Sequence, residues 1–144
     1  MKLIKNVSSI TVLVVSALCS GLSFSEVVVV VNASEQIELQ KPEDIADLFL
    51  SKRNDLAGLR LAPVDLPESN SARDVFYESV IGKSAAQVKA YWSRLIFTGK
   101  GVPPKQFSSD TEIAEWISEN EGYIGYINSE SITEGIKVIY TLPK

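Results

Sequence analysis

Five consecutive valines, Val27–Val31, stand between Glu26 and Asn32. β-Branched side chains favour extended backbone, and successive side chains of a strand point to opposite faces. An all-valine strand is therefore apolar on both faces and must be covered on both. That is the pattern of a central strand in a parallel sheet with helices on each side. Asn32-Ala33-Ser34 ends the run. Loops that follow strands in open α/β sheets line the ligand crevice, which makes Asn32 and Ser34 candidate site residues, although the same residues serve as ordinary turn formers.

The chain after this strand reads as a helix, a strand, three helices and two strands. Pro42, Glu43 and Asp44 suit the first turn of a helix whose apolar stripe is Ile45, Leu48 and Phe49. Lys52–Gly58 is a charged loop that turns at Gly58, and Arg60–Leu66 is the next strand, interrupted by Pro63. Strand, helix, strand over this length predicts one right-handed βαβ unit with parallel strands. Pro67 stops the second strand. Ser69, Asn70 and Ser71 then precede a helix with Ala72, Val75, Phe76 and Val80 at helical spacing, closed by Gly82. A polar turn opening a helix offers free N–H groups and the positive end of the helix dipole, so Ser69, Asn70 and Ser71 are candidate anion ligands, and equally a plain N-cap.

Ser84-Ala85-Ala86-Gln87 has the form of a capping box. The helix it opens places Val88, Tyr91, Trp92, Leu95 and Ile96 on one stripe. Gly99-Lys100-Gly101 lacks the spacing of a phosphate loop and reads as a turn. Ser109-Asp110-Thr111-Glu112 is a second capping box, followed by Ile113, Trp116 and Ile117. Tyr123–Ile127 is a strand with Gly125 inside it, a sign that another backbone or a ligand approaches closely. In the last strand, from Ile136 to Leu142, Ile136, Val138 and Tyr140 alternate with Lys137 and Ile139. The final two strands predict an antiparallel member at one edge. The sum is an α/β three-layer sandwich with a mostly parallel sheet.

Residues 1–25 have the form of a signal peptide. Lys2 and Lys5 precede the apolar run Ile10–Leu18, too short to span a bilayer, and Ser23-Phe24-Ser25 is a small-x-small cleavage site. Cys19 allows a lipoprotein alternative, against which Leu18 beside it argues. The expected product is a periplasmic domain of residues 26–144, with 12 basic and 18 acidic side chains, net −6. Such a domain is a poor candidate for nucleic acid or for an anionic membrane surface. It contains no Cys, and the chain contains no His. The usual general base and the commonest zinc and copper ligand are thus missing, and no metal or cofactor is implied. The carboxylate pairs Asp44/Asp47 and Glu115/Glu119 sit on outward helix faces, so an enzyme is not expected.

Several stretches together carry a resemblance. They are the Val-rich strand ending in Asn32, Pro-Glu-Asp-Ile-Ala-Asp-Leu-Phe-Leu from Pro42, and Leu-Ala-Pro-Val-Asp-Leu-Pro from Leu61. Ser-Ala-Arg-Asp-Val-Phe from Ser71, Tyr-Trp-Ser-Arg-Leu-Ile-Phe-Thr-Gly from Tyr91 and Glu-Gly-Tyr-Ile-Gly-Tyr from Glu121 complete the set. From Val27 to Leu142 the chain resembles the phosphate-binding substrate-binding proteins of ABC transporters, in a short form like one lobe of a type 2 periplasmic binding protein. The resemblance implies binding of phosphate or another small oxyanion, with an envelope transporter or sensor as partner. Arg73 matches an Arg common just after the family's Gly-Ser-Gly-Thr motif, and it or Arg94 would supply charge. Three departures stand out. Ser69-Asn70-Ser71-Ala72 replaces Gly-Ser-Gly-Thr, Asp65-Leu66 occupies the region of a preceding Arg, and the N-terminal Gly-rich loop has no counterpart. Two functions follow: a small-oxyanion binding module, or an accessory protein of the envelope that kept the lobe and lost the ligand.

Overall fold

The computed structural model describes residues 25–144. Residues 1–24 of the signal segment, and with them the Cys19 alternative, lie outside the described residues. Strand β1 is Val27–Asn32, helix α1 Pro42–Phe49, and β2 Asp55–Leu56 pairs with β3 Leu59–Arg60 in a hairpin. Strand β4 (Ala62–Asp65) leads into α2 (Ser71–Phe76), which runs on as a π-helical turn, Tyr77–Ile81. Helix α3 is Ala85–Phe97, β5 Lys105–Gln106, α4 Asp110–Glu119, β6 Tyr123–Asn128 and β7 Ile136–Thr141.

The main sheet has the order β5-β4-β6-β1-β7. β4 is parallel to β5 and β6, while β1 is antiparallel to both its neighbours, β6 and β7. Four of the five strands thus run one way and β1 runs against them. This corrects the expected βαβ unit: β6 lies between β1 and β4, and those two strands are antiparallel. The valine run specified a strand covered on both faces, and Val29, Val30 and Val31 are fully buried. Burial is blind to strand direction. The antiparallel pairing at an edge is β7 on β1, and the strand opposed to the majority is an interior one, β1, second from that edge.

The three layers can be read from β6. Tyr126 meets Phe76 of α2 at 4.0 Å and Phe49 of α1 at 6.0 Å between ring centroids. Its neighbour Gly125 faces the other way, where a Cβ would come within 2.9 Å of Ile113 on α4. α1 and α2 cover one face and α4 the other. The close approach expected at Gly125 is therefore packing by Ile113, Ile117 and Val64. Pro63 is tolerated because Ala62 N–H donates to Gly122 on the β6 side. Pro63 then turns its missing donor toward β5, whose pairing begins only at Val64.

Two side-chain patterns differ from expectation. A register shift on β1 between Val29 and Val30 resets β7, so Ile139 is the buried residue while Ile136, Val138 and Tyr140 are half-buried. The π-helical turn after Phe76 brings Tyr77 into the core, and Val75 is left exposed. On α3 the capping box forms in both directions. Only Val88 and Trp92 of its stripe are buried, and Ile96 is exposed.

Candidate functional site

The carboxyl ends of β4, β5 and β6 meet at one edge of the sheet, which is where the crevice of an α/β sheet is expected. β4 leads through Pro67–Asn70 to α2, β5 through Phe107–Ser109 to α4, and β6 through Asn128 to a 3-10 turn, Ser129–Ser131. The three starts enclose a cleft of about 490 Å³ lined by Ser69, Asn70, Ser71, Ala72, Ser109, Asp110, Thr111, Asn128, Glu130 and Ser131. Each start is capped by a side chain of its own. Asn70 Oδ1 accepts from Ala72 N–H at 2.9 Å, Ser109 Oγ from Glu112 N–H at 3.2 Å, and Asn128 Oδ1 from Glu130 N–H at 3.2 Å. Glu112 returns to Ser108 rather than Ser109, which leaves that capping box half-formed and holds the Glu112 carboxyl below its ordinary range.

Asp110 ties the three together. Asn70 Nδ2 donates to its Oδ1 at 2.5 Å, and Asn128 N–H donates to its Oδ2 at 2.6 Å. At the first position of α4 the carboxylate also suits the helix dipole. Ser69, Asn70 and Ser71 are thus brought together in this cleft, with Ser109, Asp110, Thr111, Asn128 and Ser131 beside them. Asp110 and Thr111 were visible in the sequence only as a helix start. The clue would have been that a second and third strand end at the same edge.

The remaining candidates lie elsewhere. Because β1 runs against its neighbours, Asn32 and Ser34 sit at the opposite edge of the sheet. Asn32 Nδ2 donates to the carbonyls of Ile117 and Ser118 at 2.9 and 3.1 Å, so it caps the far end of α4. Its Oδ1 accepts from Ser34 N–H at 2.9 Å, and the Ser34 hydroxyl lies 2.5 Å from Glu121. Arg73 is 6 % exposed and does not line the cleft. Its Nε donates to the Tyr77 hydroxyl at 3.0 Å and lies 3.8 Å from Asp65, and its guanidinium covers the Tyr77 ring at 4.9 Å. Arg94 is on the exposed side of α3.

Asp65 organises a buried network that sequence reasoning missed. Tyr77 and Tyr126 both donate hydroxyls to its carboxylate, and Leu66 N–H donates at 2.9 Å. Burial first, and then the Asp65 charge, push both phenols well above the ordinary tyrosine range. Burial alone would lower Arg73, but its bond to Tyr77 and the Asp65 charge outweigh that and raise it. Asp65 is thus the centre of a structural tie between β4, α2 and β6.

Chemically the cleft offers hydroxyls, amides and two helix starts. Among the described residues no Lys or Arg lines it, and it holds two carboxylates, Asp110 and Glu130. No described group of three or more His, Cys, Asp or Glu is placed to hold a metal ion. A second cleft of about 430 Å³, by Arg53, Arg60 and Gly122, has an apolar floor, and Arg53 is engaged with Asp44 at 2.9 Å and Asp55 at 3.6 Å.

Sheet order, layers and crevice define one lobe of a substrate-binding-protein fold. The chain is similar to an ABC-type phosphate transport receptor from Vibrio cholerae (TM-score 0.61, 17% identity, 80% of this chain and 45% of that one). It is also similar to a putative phosphate ABC transporter substrate-binding protein with bound phosphate from Clostridium perfringens (TM-score 0.64, 15% identity, 80% and 44%). PstS from Borrelia burgdorferi matches with a TM-score of 0.59 and 13% identity over 80% and 46%. The match is one of fold, and the chain spans less than half the length of each. No family model and no curated protein matches the sequence.

Proposed function

We propose that this chain is an exported, single-lobe substrate-binding-like module that takes phosphate or a similar small oxyanion weakly, in the service of ABC-type uptake or sensing, and is not an enzyme. One observation carries the reading: the starts of α2 and α4 and the turn after β6 converge on a hydroxyl-lined cleft at the carboxyl edge of the sheet. Such starts present N–H donors and positive dipole ends to an anion. Weakness follows from Asp110 and Glu130 in the cleft and from the engagement of Arg73 with Asp65 and Tyr77. The fold of proteins whose names include phosphate transport supports the choice of anion. Export rests on the signal-like residues 1–25, and no described helix is long and apolar enough to cross a membrane.

The second reading, an envelope accessory protein without a ligand, is favoured by Asp110 itself. Its carboxylate already takes the Asn70 and Asn128 donors that an incoming anion would use. Calorimetry with inorganic phosphate at low ionic strength separates the two. Binding is expected on the order of millimolar. Ser71→Ala is expected to weaken it about threefold to tenfold, as loss of one hydrogen bond does. Glu130→Gln, which removes an exposed charge from the cleft, is expected to tighten it about twofold to fivefold at low salt. No saturable heat from the wild type, or equal heat from all three proteins, sinks the oxyanion reading in favour of the accessory one.

A further inference from the structure

Helix α3 and the loop after it carry a charge pattern unlike the rest of the chain. From Ser79 to Ser109 there is no Asp or Glu, and there are five cations, Lys83, Lys89, Arg94, Lys100 and Lys105. The rest of residues 26–144 has seven cations and eighteen acids, net −11. None of the five forms an ion pair among the described residues. Lys105 instead lies over Phe107 and Trp116, at 5.2 and 5.1 Å. The same segment exposes three large apolar side chains, Ile96 at 55%, Phe97 at 93% and Val102 at 79%.

Helical spacing arranges these groups. Val88 and Trp92 are buried, with Tyr91 and Leu95 half-buried beside them. At about 100° per residue the opposite side runs Ala86, Ala90, Ser93 and Phe97, with Lys89 on one flank and Arg94 on the other. All six are exposed. Gly99, at φ 69°, turns the chain back, Lys100 N–H donates to Leu95 at 2.9 Å, and Gly101 packs on Trp92 and Leu95. Val102 emerges from that turn.

We propose that this end of α3 docks on an anionic lipid bilayer. Ile96, Phe97 and Val102 enter the headgroup boundary, and Lys89, Arg94 and Lys100 pair with lipid phosphates. An exposed strip of small side chains flanked by cations, ending in Phe97 with Ile96 and Val102 beside it, suits a helix that lies at a lipid interface. The apolar groups stand out from the surface, which suits a partner that yields around them. The positive charge is local. The acids lie on the other elements; Glu68 shares a cleft with Ala86 and Lys89, and the repulsion of acids beyond about 8 Å is largely screened at physiological salt. The net −6 that disfavours a membrane for the whole domain therefore does not describe this face. The proposal is independent of the anion cleft.

The test is co-sedimentation with vesicles of phosphatidylcholine, with and without about 30 mol % phosphatidylglycerol. It uses the protein lacking residues 1–25, which retains the whole sheet and its core. The protein is expected to pellet with the anionic vesicles alone. Binding is expected to fall about tenfold in Phe97→Ser/Val102→Ser, in Lys89→Glu/Arg94→Glu, and for the wild type in about 0.5 M salt. All four positions are exposed, so melting temperature and circular dichroism confirm that the variants fold. Equal pelleting by wild type and variants, or no pelleting at low salt, overturns the proposal. A dimer in sedimentation equilibrium that Phe97→Ser abolishes, without vesicle binding, also overturns it and assigns the surface to a second copy of the chain.

Discussion

Gly125 shows how one missing Cβ sets a packing distance. Its strand is covered on both faces, and Ile113, Ile117 and Val64 fill the space a side chain would take, at 2.9–3.0 Å from the ideal Cβ position. Gly125→Ala is expected to destabilise the domain by about 1–3 kcal/mol through overpacking, read as a lower urea midpoint with an unchanged slope. A glycine inside a strand announced the close approach in the sequence. The sequence did not say whether the neighbour was a ligand or a helix, because α4 reaches this face only in the assembled sheet. Arg73 gives the opposite lesson. Its type and its place just after a helix start suggest an anion ligand, yet its position on the helix turns it inward to Tyr77 and Asp65.

At the scale of elements, the cleft is made by three segment starts held by one carboxylate. Asp110→Ala removes the acceptor for Asn70 Nδ2 and Asn128 N–H. Two charge-assisted bonds of this kind are together worth about 3–6 kcal/mol, and a destabilisation of up to that size, read as a lower melting temperature, is the expected result. Asp110→Asn keeps one acceptor and is expected to lose less. An unchanged melting temperature in Asp110→Ala would show that the three starts hold their places without it. The cap residues Asn70, Ser84 and Ser109 were legible because capping is local chemistry. The tie through Asp110 was not, because it spans 40 residues to Asn70 and 18 to Asn128.

For the whole molecule, the buried tyrosines give a pH dependence with a definite sign. Tyr77 and Tyr126 keep their protons in the folded state above the ordinary tyrosine value. In the unfolded chain they ionise near pH ~10. Their contribution is fully present below that pH, and stability falls as the pH rises beyond it, because the unfolded state then releases protons the native state retains. The melting temperature is expected to hold from neutral pH to about 10 and then drop, with the tyrosinate absorbance of Tyr77 and Tyr126, two of the five tyrosines, appearing together with unfolding. Tyr77→Phe is expected to be less stable at neutral pH and to show a shallower alkaline drop; an identical drop would remove Tyr77 as a source. By itself the sequence determined that Val27–Asn32 is a strand covered on both faces, that helices lie between the first and the last strands, and where α2, α3 and α4 begin. Those facts follow from side-chain branching, periodicity and caps within a few residues of one another. It also held the basic, acid-free run from Ser79 to Ser109, hidden beneath an acidic total. Tertiary structure alone decided that β1 runs against its neighbours, and thereby that Asn32 caps the far end of α4 with Ser34 beside it, while Ser69, Asn70 and Ser71 meet Asp110 in the cleft. The physical reason is that apolar burial is the same for a strand running in either direction, whereas the edge at which its last residue emerges is fixed only by the strands it pairs with.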